Sequence, residues 1–167
     1  LGAFQDALAQ QLREDLGQCG IGLHVETLDA PQLLTAFPDG PVFGRTFQAV
    51  EWSWLATIAP ACEMFAGREI PSQENPNGSN ASGFSDEEYD VACQALLLGL
   101  PEDDAYRQAA QRTQEIFAAR VPAIPLFLRP RLVAYSRGVC GVSVDASAYS
   151  VLWNLEDLGP AGTCEGE

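Results

Sequence analysis

Glu51-Trp52-Ser53-Trp54 is the stretch whose residue types best suit binding or catalysis. On a strand, tryptophans at i and i+2 share one face, and Glu51 and Ser53 point the other way. Indole rings offer a large, rigid stacking area with one N–H donor each. In open α/β sheets, ligands bind outside the carboxyl ends of strands. That rule places Trp52 inward near the strand's middle and Trp54 toward a ligand, although either tryptophan alone would read as core. Glu51 could also serve a carboxylate-based glycoside hydrolase, provided a second carboxylate lies within about 5–10 Å. A cleft or surface acid without catalytic duty is the plainer reading.

Other chemistries lack their parts. His24 is the sole histidine, and no G-x-S-x-G turn accompanies any serine, so nothing assembles a nucleophile with its base. Neither G-x-G-x-x-G nor G-x-x-x-x-G-K-[ST] occurs, which leaves dinucleotide and phosphate-loop sites without a motif. Cys19, Cys62, Cys93, Cys140 and Cys164 form no C-x-x-C pair and fit no zinc or redox spacing. They read as one or two disulfides with an odd cysteine left over, or as buried thiols acting as small hydrophobes. Asp86, Glu87, Glu88 and Asp90 crowd one helix start, where the helix dipole accounts for them. A calcium site is the sharper alternative, but the spaced oxygen ligands of an EF-hand loop are missing. The chain is expected to need no cofactor and no metal.

The elements that must position Glu51 to Trp54 can be read from periodicity. Phe4, Leu8, Leu12 and Leu16 recur every four residues and predict an amphipathic helix ended by Gly17 and Gly20. Ile21, Leu23, Val25 and Thr27 alternate with polar residues as a strand, with His24 on its polar face. Asp29 caps a short helix from Pro31 to about Phe37, closed by the turn Pro38-Asp39-Gly40-Pro41. Phe47 to Trp54 reads as the second strand, and residues 57–84 as a long ordered loop of the kind that carries function. Ser85 to Glu88 forms a capping box for a helix with Tyr89, Cys93, Leu96, Leu97 and Leu100 on one face. A further helix spans about Glu102 to Arg120. Leu132–Ser136 and Val139–Val144 look like short strands, and the tail after Trp153 turns polar and small, like a loosely held end.

With 167 residues the chain has the length of about one domain, and 47% hydrophobic against 19% charged residues excludes a disordered chain. There are 23 acids and 9 bases, giving −14, and every base is arginine. Such a surface repels nucleic acid and anionic lipid. The longest apolar run, Val121 to Leu128, is cut by Pro122 and Pro125 and falls short of the ~20 residues of a membrane helix. No basic-then-apolar leader precedes Leu1, and the chain opens directly on helical periodicity without methionine. That start predicts a segment excised from something longer.

Laid end to end, the pieces resemble the carboxyl-terminal lobe of extracellular solute-binding proteins of ABC importers, the peptide/nickel-type family. The resemblance runs from Leu1 to about Leu158. It is carried by the first helix with Gly20-Ile21-Gly22-Leu23-His24-Val25, then by Phe47 to Trp54 leading to Pro60. Asn80-Ala81-Ser82-Gly83-Phe84 with Asp90 follows, then Arg107 and Gln114 ahead of Val121-Pro122-Ala123-Ile124-Pro125-Leu126-Phe127. Gly138-Val139-Cys140-Gly141 and Trp153-Asn154-Leu155-Glu156 complete the order. Each piece is weakly specific; the ordered set is the signal.

The resemblance implies an α/β fold, one lobe of a type II periplasmic-binding-protein architecture with a mixed sheet flanked by helices. It implies residues 1–158 as that lobe, residues 159–167 as tail, and an amino-terminal lobe lying elsewhere in the parent. It further implies a monomer, not an enzyme, that closes on a small solute in an interlobe cleft and delivers it to an ABC permease. The location would be extracellular or periplasmic, with the parent tethered to a membrane. Trp54, Trp52, Glu51, Thr57 and Asn80 would face the ligand. Peptide-binding branches carry aspartate three residues after the strand-end tryptophan, where this chain has Thr57, and Glu51 would repel a peptide carboxylate. A sugar or a cationic small molecule is therefore favoured over a free peptide. Export fits the cysteines: Cys62–Cys93 would bracket the Asn80 loop, stabilising by roughly 3–4 kcal/mol, with Cys140–Cys164 second and Cys19 free. The alternative is a ligand-sensing domain of a regulatory protein that uses the same lobe.

Overall fold

The computed structural model describes residues 3–54, 60–127, 132–145, 148 and 150–164. Among these residues four helices form: α1 (Ala3–Gln18), α2 (Ala30–Leu33), α3 (Glu87–Leu98) and α4 (Asp104–Arg120). Short 3-10 turns cover Ala61–Phe65, Gly67–Glu69 and Leu155–Asp157. The strands β1 (Val139–Cys140) and β2 (Gly159–Pro160) pair antiparallel with Val139 opposite Pro160 and Cys140 opposite Gly159. The chain divides into two compact units, Leu1–Glu51 with Met64–Ser85, and Trp52–Glu63 with Asp86–Glu167.

This architecture overturns the expected α/β lobe. Among the described residues the only sheet is the two-stranded one, so no mixed sheet flanked by helices exists. The period-two pattern survives in exposure only at the centre of residues 21–27: Leu23 and Val25 are half-buried and His24 and Glu26 exposed, but Ile21 and Thr27, expected on the covered face, are exposed as well. Alternation specifies which face is covered, but a strand also needs a neighbour whose N–H and C=O groups complete its ladder. Neither residues 21–27 nor 47–54 has one, and both run as irregular chain. The same holds for residues 132–136 and for 121–127, where Ile124, Leu126 and Phe127 stay exposed. Leu128 lies outside the described residues.

In the first unit α1 carries Leu8, Leu12 and Leu16 as its covered stripe. It ends as Gly20 takes a left-handed φ of 78° and Ile21 N–H returns to the Leu16 carbonyl at 2.9 Å. Asp29 caps α2, accepting from Gln32 N–H at 2.8 Å while the Gln32 side chain accepts from Asp29 N–H. The helix stops at Leu33, short of the expected Phe37. Around it Val42 and Pro71 are fully buried, and Arg45 donates to the Pro71 carbonyl at 3.1 Å.

In the second unit α3 and α4 pack on each other through Tyr89, Ala92, Cys93 and Leu96 on one side and Ala109, Thr113 and Ile116 on the other. Both sets follow the i, i+3/i+4, i+7 spacing of a helix face. At Gly99, which follows α3, a Cβ would fit tightly, 3.2 Å from both the Ala95 carbonyl oxygen and Tyr106 Cβ. The N-cap of α3 is Asp86, not the expected Ser85: its carboxylate accepts from Tyr89 N–H at 3.0 Å. α4 ends with Val121 at a left-handed φ of 51°, its N–H on the Phe117 carbonyl at 2.8 Å. Beyond it, Cys140 is bonded to Cys164, so the segment expected as a loose tail carries β2 and one end of a disulfide.

Candidate functional site

Trp52 and Trp54 face each other closely, with ring centroids 5.7 Å apart and planes inclined by 51°. Trp52 is half-buried and Trp54 is 42% exposed. The pair therefore presents one indole that anchors and one that solvent reaches. Such offset, tilted ring contacts lie inside the 4.5–7 Å range in which aromatic pairs attract, which fixes the rings relative to one another. Glu51, next in sequence, is exposed. No strand carries these residues, so their placement does not come from a sheet edge.

The remaining candidates divide. Asn80 is fully buried and fully committed: its amide donates to the Ala66 carbonyl at 2.9 Å and the Phe84 carbonyl at 2.8 Å. Its Oδ1 accepts from Ser82 Oγ at 2.8 Å. These bonds close the Asn80–Phe84 turn, a structural duty that uses both amide hydrogens. Thr57 lies outside the described residues. Cys62 is joined to Cys93 with Cα atoms 5.6 Å apart, which fastens the chain after the tryptophans to α3. Tyr89 reinforces that junction, its hydroxyl donating to the Cys62 carbonyl at 3.1 Å. Burial pushes the Tyr89 hydroxyl up to about 12, with Asp90 adding to the shift.

A second cluster escaped the sequence reading. Arg112 pairs with Glu88 and, at 3.3 Å, with Glu115, and Arg120 pairs with Asp86 at 3.3 Å. With Ile116 and Ala119 they line a shallow cleft of about 140 Å³. The signal lay in the sequence: Arg112 and Arg120, eight apart, fall near one face of α4, opposite the acidic first turn of α3. The Tyr89 N–H, with Arg120 beside it, holds the Asp86 carboxyl below its ordinary 3.8. These acids are thus answered by arginines and a backbone amide. Among the described residues no group of three or more His, Cys, Asp or Glu is placed to hold a metal ion.

The two disulfides belong to an oxidising environment. Among the described residues no helix is long and apolar enough to cross a membrane. Cys19 is the exposed free cysteine. No known protein family, curated protein or solved structure matches this chain.

Proposed function

We propose that this chain binds a small solute on the Trp52–Trp54 pair as part of an exported receptor, extracellular or periplasmic, that hands its solute to a membrane permease. The observation that carries the reading is the ring pair itself: two indoles in mutual contact, the outer one open to solvent. An exposed tryptophan loses apolar burial that folding would otherwise supply, and a ligand stacked on it recovers that burial. The ordered motifs from Leu1 to Leu158 support the receptor role, and the two disulfides support export. The lobe architecture is no part of the proposal; the binding surface is local to the rings.

A tryptophan-fluorescence screen of the chain against short peptides, sugars and amines tests it, with Trp54→Ala alongside. A saturable change in the unsubstituted chain whose affinity falls at least tenfold in Trp54→Ala supports the reading. Saturable binding that Trp54→Ala leaves unchanged places the site elsewhere and ends it.

A further inference from the structure

The inclination of the two rings carries information about ligand shape, and the charge of the chain carries information about ligand sign. This inference rests on the reading just given, that Trp52 and Trp54 receive the solute. A flat ligand, such as a sugar ring or an aromatic base, stacks with its plane parallel to an indole. With planes 51° apart, a flat ligand can lie parallel to one ring only. A rounded group has no such restriction. With centroids separated by 5.7 Å, a point about 5 Å from one can be equally near the other. That distance lies within the roughly 6 Å at which a cation is attracted by the negative face of an indole.

Charge points the same way. The chain carries −14 and no lysine, so its summed field draws cations and repels carboxylates and phosphates. Indole is the strongest of the three aromatic side chains in holding a cation over its face. A methylated ammonium adds apolar methyl groups that bury against both rings, which a hydrated metal ion or a lone ammonium cannot do. We infer that the solute held by Trp52 and Trp54 is a small organic cation bearing a quaternary or highly methylated ammonium group.

The test titrates the chain with choline, with its neutral carbon isostere dimethylbutanol, and with maltose, reading tryptophan fluorescence at an ionic strength of about 0.15 M so that long-range charge is screened equally. Cation–π attraction at exposed rings is equivalent to roughly two- to fivefold per ring, so choline should bind about tenfold more tightly than the isostere. Trp54→Ala should remove most of that preference and Trp54→Phe, which keeps a π face, should retain part of it. Equal binding of choline and isostere overturns the cation inference and leaves solute binding intact. So does binding of maltose without choline. A choline preference that Trp54→Ala does not alter, or no saturable response to any probe, overturns the inference together with the reading beneath it.

Discussion

Removing the Cys62–Cys93 bridge is the perturbation whose size follows most directly from the structure. The bridge closes a loop of sequence separation 31. In the chain-entropy account, a closed loop of that length lowers the entropy of the unfolded chain by an amount worth about 3.7 kcal/mol at 25 °C. Cys62→Ala with Cys93→Ala should therefore lose about that much stability, and the two buried sulfurs add lost packing to it. At about 2.1 cal/mol/K of unfolding entropy per residue, the midpoint falls by about 10 °C if all 167 residues melt together. It falls by about 19 °C if only the unit holding the bridge, some 90 residues, melts in the transition. Thermal denaturation followed by circular dichroism measures this, with Cys140→Ala/Cys164→Ala as the comparison. That second loop, of separation 24, carries about 3.4 kcal/mol by the same expression, so the two variants should differ little. A midpoint drop under about 4 °C for the first pair would refute the reasoning, since the bridge would then constrain no unfolded loop. A thiol count on denatured, unreduced protein supplies the control: Cys19 alone should react.

Three further outcomes follow. Asn80→Ala should destabilise by about 2–4 kcal/mol in urea unfolding, because it removes one buried and two part-buried hydrogen bonds and strands two carbonyls. At temperatures where that variant stays folded, the fluorescence of the Trp52–Trp54 pair and its solute response should be unchanged. Ultraviolet titration of phenolate should find one tyrosine ionising near 12, absent in Tyr89→Phe. Because folding raises that value above the ordinary 10, the neutral hydroxyl's contribution is fully present below pH 10 and is lost as pH rises toward 12. Asp86 has the opposite sign: its folded value is depressed, so its contribution is present above about pH 4 and lost as acid takes the pH down through that lower value. Asp86→Asn, which can still cap the helix, should flatten that acid limb of the stability curve.

Helices were legible, whereas of the expected strands only the start of Val139–Val144 forms, as β1, for a physical reason. Leu8, Leu12 and Leu16, or Tyr89, Cys93 and Leu96, satisfy their helices with hydrogen bonds made inside the same segment, so local spacing suffices. Leu23 and Val25 needed a partner that periodicity cannot name, and none forms. Capping was read one residue early at Ser85, because Ser85 and Asp86 both offer a side-chain oxygen and only the backbone decides between them. Of the candidate residues, the order of exposure was legible. The i, i+2 spacing of the tryptophans placed the inner and outer rings in the right order of exposure, although no strand holds them. The turn-closing bonds of Asn80 were not legible, because its three partners are set by the fold of the 66–84 segment and not by its residue type.

The same Cys62–Cys93 bridge governs how the molecule would age outside a cell. A protease that cuts once between these two cysteines produces two pieces that remain one covalent object. Arg68, 54% exposed along its side chain, is such a point for an arginine-directed enzyme. A molecule nicked there would keep its full mass in a non-reducing gel and separate only once thiol is added. Damage along residues 63–92 would thus accumulate silently, and an intact band would be no proof of an intact chain.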